Sequence, residues 1–419
     1  MKKTSQALIV LLIAIGCQQS SEQGDAEQTI VNDVAKSRID SVLQSFVADS
    51  IVAGASALIF EKGKEVYFNA YGHADREAGV PMSRSTIATI YSMTKPITGT
   101  TLMSLYEKGL FRLDDSLSKY APEFTEMNVV SGLDDSGEMI LEPVNRPITI
   151  ADITRHTAGF SRRSDFGLDQ VVSEADLLNV ENSLSDMASK LSEIPLGYHP
   201  GQRWEYGISV DVQAYLVEIL AEKPFDQYMR ETVLEPLNMT ETGYYVPKNK
   251  RDRVAAIYRK TDSSLIRVPD EQVHAINYQD WPMKPGGWGL KATIDDYMKF
   301  AQMLLNKGTY NGATVLKPET IELMATNHLP EVEDSLWLPS KGQVGFGIDF
   351  AVRVAPPKST SENMGEVGEF FWDGAASTLF WVDPKNELTA VLFVQTFPFQ
   401  GEVHKQFRDA VYGTFEPSK

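Results

Sequence analysis

The sequence predicts an α/β (α+β) fold: an antiparallel sheet flanked by helices, built from both ends of the chain, with a mostly helical domain inserted between them. Three observations predict it. A helical pattern runs into a β-hairpin near the N-terminus, a series of β-rich runs followed by a helix closes the C-terminus, and the middle is rich in prolines, loops and short helical patterns.

In residues 30–46 the apolar positions Ile30, Val34, Ile39, Val42, Leu43 and Phe46 fall at helical spacing, leaving one face to bury. "ASALIFEKGKEVYFNAYG" follows, two β-rich runs with Gly63 in the turn. Residues 97–110 are apolar enough for a buried helix ending near Gly109. Pro122, Pro143, Pro147, Pro195 and Pro200 then punctuate the middle of the chain. "TIDDYMKFAQMLLNKGTYNG" starts a strong amphipathic helix, with Thr293 and Asp296 spaced as a capping box. After it come "VGFGIDFAVRV", "EFFWDG", "STLFWVDP" and "LTAVLFVQTF", joined by hairpin-length turns such as "DPKN" and therefore antiparallel. A helix through Val403, Phe407 and Val411 ends the pattern. The predicted division is residues 30–120 with 286–419 as the α/β domain and 121–285 as the helical domain. No internal repeat interrupts it.

The 419 residues, 42% hydrophobic and 23% charged, have an ordinary globular composition. Asp and Glu number 57 against 39 Lys and Arg, a formal charge of -18 that repels phosphate backbones and excludes nucleic acid as a partner. Lys2 and Lys3 precede an apolar run from Ala7 to Ile15, too short to span a membrane, so residues 1–16 read as an export signal peptide. "AIGC" resembles the lipobox of bacterial lipoproteins, with Ala14 where that motif usually has leucine. The resemblance makes Cys17 the lipidated first residue of an exported protein, anchored to a bacterial membrane and facing the periplasm or exterior. Residues 17–29 would be a flexible tether, and the anchor the sole membrane contact. Cys17 is the only cysteine, so no intramolecular disulfide forms.

The stretch "IYSMTKPITG" carries chemistry. A serine needs a base within hydrogen-bond reach to become a nucleophile, and a lysine three residues on shares its helix face. Pro96 is tolerated only in a first turn, which puts Ser92 at a helix N-terminus where free N–H groups stabilise a developing oxyanion. A lysine acts as a base only when uncharged, and apolar Tyr91, Met93 and Ile97 provide a desolvating setting. The pattern alone decides little: "SLSK", Ser116 to Lys119, fits it too and reads as a short capped surface turn. Taken singly, "SMTK" also fits an ordinary helix start with a snorkelling lysine. Two further stretches add weight. "PGQRWEYGISVD" sets Tyr206 before an apolar helical run, where it can share proton traffic with Lys95 or simply fill a core. "EFFWDGAASTLFWVDP" sets Gly374 and two alanines on a strand, where small residues admit a ligand or mark a bulge.

In this order, these stretches resemble the serine β-lactamase and penicillin-binding-protein superfamily, nearest to class C β-lactamases and family VIII carboxylesterases. "LDDSLSKYAPEF", "ITIADITRHTAGF" and "GGWGLKATIDDYMKFAQMLLNKGTYNG" extend the resemblance from about residue 30 to the C-terminus. It implies that Ser92 is the acylated nucleophile, Lys95 its base, and Tyr206 the tyrosine of the YxN motif. It also implies that Trp372, Asp373 and Gly374 fill the place of the KTG triplet, with the N–H groups of Ser92 and Ala375 as the oxyanion hole.

Departures from that pattern steer the substrate. Ile208 stands where the family has the YxN asparagine and cannot hydrogen-bond an amide. Trp372 replaces a lysine and Asp373 adds a negative charge, which disfavours substrates carrying a carboxylate. Tryptophan at that point resembles family VIII esterases and suggests an apolar or aromatic ester. Ile208, Trp372, Asp373 and Gly374 are thus the expected substrate contacts, and Arg162 and Arg163 are expected to be solvated. The six histidines form no metal-ligand pattern, His156 reads as fixing a turn, and Trp281 and Trp288 as core or rim packing. No GxSxG is present. The expectation is a serine carboxylesterase acting on a small-molecule ester or amide without metal or cofactor. The alternatives are a β-lactamase or D-amino-acid peptidase or amidase, and a sensor that stays acylated.

Overall fold

The structure, a computed structural model, describes residues 29–329, 336–338 and 342–416. The expected signal peptide and Cys17 lie outside the described residues.

Both ends of the chain meet in one sheet. The N-terminal part supplies β1 (Gly54–Glu61), β2 (Lys64–Asp75) and β3 (Val80–Pro81). The C-terminal part supplies β4 (Leu336–Leu338), β5 (Gly342–Phe346), β6 (Ala351–Arg353), β7 (Phe370–Asp373), β8 (Leu379–Asp383) and β9 (Leu388–Phe393). The strand order is β4-β5-β6-β7-β8-β9-β1-β2-β3, antiparallel throughout. The seam between the two ends is β9 against β1, in register from Ser56 opposite Phe393 to Glu61 opposite Leu388. Lys62 and Gly63 make the β1–β2 turn at φ of 52° and 72°, so the predicted hairpin forms.

The helices that frame the sheet and the site are α1 (Asp33–Ala48), α2 (Thr94–Glu107), α3 (Leu168–Ala175), α4 (Leu184–Ser192), α5 (Ser209–Ala221), α6 (Ile294–Leu305) and α7 (Gly401–Tyr412). The strand period of two sorts them onto faces. Phe380 meets Tyr297 of α6 at 5.0 Å, while its neighbour Trp381 meets Phe407 of α7 at 5.5 Å, so the two helices cover opposite sides of β8. Covered on both faces, β8 and β9 are buried at every position, which is why they read as unbroken apolar runs. Asn32 starts α1 by accepting from Val34 N–H and Ala35 N–H, each at 3.0 Å.

The predicted capping box of α6 forms by half. Thr293 Oγ1 accepts from Asp296 N–H at 3.4 Å, but the Asp296 carboxylate accepts from Glu241 N–H at 2.7 Å and from Thr242 Oγ1 at 3.1 Å. Those tertiary donors outcompete the local one. Residues 121–285 hold α3 to α5 and shorter helices, together with two hairpins, Asn128–Leu133 with Met139–Pro143 and Tyr258–Lys260 with Leu265–Arg267. The strand Met139–Pro143 is mostly exposed, so no burial-driven alternation marks it in the sequence. Among the described residues no helix is long and apolar enough to cross a membrane.

Candidate active site

The Thr-rich α2 is buried from Thr94 to Leu105. It tolerates burial because its hydroxyls bond inward, Thr100 Oγ1 to the Pro96 carbonyl and Thr101 Oγ1 to the Ile97 carbonyl, each at 2.8 Å. A single 3-10 turn, Tyr91–Met93, leads straight into it. Tyr91 has φ of 45°, a left-handed conformation that costs roughly 1–2 kcal/mol for a side chain with a Cβ. Edge-on packing against Phe397 at 5.4 Å supports it. The kink presents Ser92, half-buried, at the N-terminal end of the helix, and Pro96 falls at the third helical residue. One turn on, Lys95 is 5% exposed, with Nζ 3.3 Å from Ser92 Oγ and 2.7 Å from the Gly287 carbonyl.

Gly287 belongs to a loop stitched to α2 and α5. Thr98 Oγ1 donates to the Gly286 carbonyl at 2.7 Å, and Gly287 N–H donates to Asp211 Oδ1 at 3.0 Å. A Cβ on Gly286 would lie 2.3 Å from the Val210 carbonyl, so only glycine lets the loop come this close to α5. Burial raises the carboxyl of Asp211 above its ordinary value, partly opposed by Lys95. Asp349, hydrogen-bonded by Gln213 at 2.9 Å, is pushed up further by burial, again opposed by the hydrogen bond and Lys95.

Tyr206 lies just ahead of α5 with its ring beneath the amine, Lys95 Nζ standing 4.6 Å from the ring centroid. The phenol oxygen accepts from Trp372 Nε1 at 3.3 Å. Among the described residues it makes no hydrogen bond to Ser92 or Lys95. His156 grips the peptide on both sides of Tyr206: its carbonyl accepts from Glu205 N–H at 2.9 Å, and its Nδ1 from Gly207 N–H at 3.5 Å. Its ring packs 4.9 Å from that of Tyr206. Burial first, and then Lys95, lower the His156 imidazole well below its ordinary value, so it is neutral near pH 7.

On the far side of Ser92 runs β7. Trp372 pairs with Phe380 and shares its face, 4% exposed. Gly374 follows, where a Cβ would lie 2.2 Å from Thr378 Oγ1 and 2.5 Å from the Ile90 carbonyl. Its missing side chain thus admits the backbone two residues before Ser92, where the sequence suggested room for a ligand. Ala375 is exposed, and neither its N–H nor that of Ser92 donates to another backbone group among the described residues.

Asp373 corrects an expectation. The pleat sends it to the other face, across from Leu379, where its carboxylate lies 4.0 Å from Nδ1 of His404 on α7. Arg163 is not simply solvated: it pairs with Asp165 at 2.5 Å and stacks over Phe166 at 4.0 Å. Arg162 is exposed. "SLSK" is a surface turn without the expected serine cap, and Lys119 bonds Asp115 at 3.0 Å instead of Ser116.

Beside Lys95 and Tyr206 opens a cavity of about 490 Å³, walled by apolar Phe160, Leu177, Leu191, Ile194, Ile208 and Trp288. Trp288 is therefore wall as well as packing. Asp211 and Gly287 had no assigned role in the sequence, and His156 was read only as fixing a turn. The one readable signal was Asp211, an acid inside the apolar run "SVDVQAYLVEIL".

Comparison with known proteins finds relatives along most of the chain. The chain is 33% identical over 359 residues to Protein Rv1367c of Mycobacterium tuberculosis, covering 83% of this chain and 87% of that one. It is 24% identical over 397 residues to the esterase EstB of Burkholderia gladioli, covering 90% and 94%. The solved structure of EstCE1, described as a hydrolase with promiscuous acyltransferase activity, superimposes with a TM-score of 0.74 at 24% identity, covering 92% of this chain and all of that one. The family model described as Beta-lactamase matches residues 39–412, from within α1 to the end of α7, and the chain belongs to that family.

Proposed function

We propose that this protein is a serine hydrolase that cleaves carboxylic esters through an acyl-enzyme on Ser92. The observation that carries the reading is the buried Lys95 amine 3.3 Å from Ser92 Oγ, in the wall of a cavity with a large apolar face. The esterase named among its relatives supports it.

Ser92 Oγ bonds to the ester carbonyl carbon as its proton passes to the Lys95 amine acting as base. The N–H groups of Ser92 and Ala375 receive the oxyanion. The bond to the alcohol oxygen then breaks, and the alcohol leaves with the proton, Tyr206 standing beside this transfer. Water adds to the acyl carbon, giving its proton to the same amine. The bond to Ser92 breaks, the proton returns to Oγ, and a carboxylic acid is released. The Gly287 carbonyl orients the amine by accepting one of its N–H groups, leaving the lone pair for the serine proton.

Turnover of p-nitrophenyl butyrate by wild type and Ser92→Ala tests the reading, with nitrocefin in parallel. Ester turnover that disappears in Ser92→Ala is expected. Nitrocefin turnover without ester turnover overturns it in favour of a β-lactamase, and a lasting adduct on Ser92 without product release favours a sensor. We also propose that Cys17 carries the lipid anchor. Labelling with a clickable palmitate analogue in the native host, lost in Cys17→Ala, is the expected result.

A further inference from the structure

The cavity beside Lys95 says which part of an ester this site holds. We propose that it seats the acyl half of the substrate, and that the half it fits is an uncharged aliphatic chain of medium length, about eight to ten carbons. The proposal rests on the hydrolase reading above.

Size comes first. At about 30 Å³ per group, the share of a water in the liquid, 490 Å³ holds on the order of sixteen water- or methylene-sized groups. An acetyl group leaves nearly all of that volume to solvent against an apolar wall. A chain of eight to ten carbons fills roughly half to two thirds of it and leaves room for water near the mouth. The apolar part of the wall, Phe160, Leu177, Leu191 and Ile194, is buried.

Charge comes second. Arg162 is the cation at the rim, and Asp176 and Glu205 line the same cavity. Glu205 Oε1 already accepts from Ser161 Oγ at 2.7 Å and from Arg162 N–H at 3.3 Å. With Asp211 and Lys95 also in the lining, three acids stand against one guanidinium and one amine, a poor receptor for a further carboxylate, so the chain that enters carries none.

The course of the reaction decides which half enters. The acyl group stays bonded to Ser92 through both steps, whereas the alcohol must leave and water must replace it. Ala375, on the β7 side of Ser92 and outside the cavity lining, is exposed, so solvent reaches the reacting carbon from that side. The cavity lies beside Lys95 on the other side, and it suits the half that remains.

Two substrate series test this on the wild-type enzyme: p-nitrophenyl esters from acetate to dodecanoate, and alkyl acetates from methyl to octyl, all below their micelle concentrations. Each buried methylene is worth at most roughly fourfold, so kcat/KM is expected to rise by more than about tenfold from acetate to octanoate and to level off between decanoate and dodecanoate. The alkyl acetates are expected to stay nearly level. Val172→Trp, which adds bulk to the cavity wall, is expected to lower the octanoate-to-acetate ratio by about tenfold. If that variant does not fold, tighter inhibition of wild type by octylboronic acid than by methylboronic acid reads the same preference. Turnover of acyl esters that is flat or falling with chain length, or that rises with the alcohol instead, overturns the acyl assignment while leaving the hydrolase standing. No turnover in either series defeats the hydrolase reading itself.

Discussion

The indole N–H of Trp372 reaches the phenol oxygen of Tyr206 at 3.3 Å, with the two rings 5.3 Å apart. A strand on one side of the nucleophile thereby holds a side chain on the other. The donor that does so is neutral. Trp372→Phe keeps most of the packing and removes the donor. A neutral hydrogen bond is worth about 0.5–1.5 kcal/mol net, so kcat is expected to fall by up to about tenfold. The melting temperature should move little, because water can replace the donor at the 39% exposed Tyr206. Unchanged kcat on p-nitrophenyl butyrate would show that Tyr206 needs no such anchor.

Lys95 is the side chain in hydrogen-bond contact with Ser92 Oγ, and its carbon stem is buried. Lys95→Met preserves the stem and deletes the amine. Removing a positioned base costs about 10²–10⁴-fold, and a fall of that size in kcat/KM is expected. Lys95→Arg should do no better, since a guanidinium does not release its proton at any working pH. A variant of either kind that retains a tenth of wild-type activity would remove Lys95 from the base role.

What the sequence revealed of this site was its local part. Ser92 and Lys95 are three positions apart on one helix, and the strands β8 and β9 announce themselves through burial on both faces. What it hid was set by partners far along the chain. The carbonyl that holds Lys95 is 192 positions away, and the acid under Gly287 is 76 positions from it. Asp373 was misplaced for a related reason. Alternation along β7 is visible in the sequence, but which face looks at Ser92 follows from the register with β8. Likewise Asp296 has the right spacing for a capping box and loses that role to an amide 55 positions earlier.

Gly374 offers a test of how the two halves of the site are held together. Any side chain there meets the Ile90 carbonyl at 2.5 Å and Thr378 Oγ1 at 2.2 Å. Gly374→Ala must push β7 away from the turn that carries Ser92. The expected cost is about 1–3 kcal/mol in urea unfolding, the usual range for overpacking. Activity should fall further than stability alone explains, because Ala375 N–H and Ser92 N–H move apart. A variant as active and as stable as wild type would mean that the approach to Ile90 can relax freely.

Behind the site, Lys291 Nζ lies 2.5 Å from Thr89 Oγ1 and 3.0 Å from Nδ1 of His274, on the strand pair that leads into Tyr91. Burial lowers the Lys291 amine from 10.5 to about 7, partly opposed by Asp270. Burial, then Lys291 and Arg267, lower the His274 imidazole from 6.5 to about 3. Both are bases that hold their protons less tightly in the folded chain than in the unfolded one. The unfolded state therefore binds the extra proton, and stability rises with pH, between about 7 and 10.5 for Lys291 and between about 3 and 6.5 for His274. Each group contributes up to about 1.4 kcal/mol per pH unit inside its window. Urea unfolding of wild type and Lys291→Met from pH 7 to 9.5 checks the first window, below the range where the buried tyrosines ionise. The variant's stability is expected to climb less steeply than that of wild type, by about 1 kcal/mol per pH unit. Parallel curves would mean that Lys291 keeps its proton inside the fold, and the neutral amine between Thr89 and His274 would have to be given up.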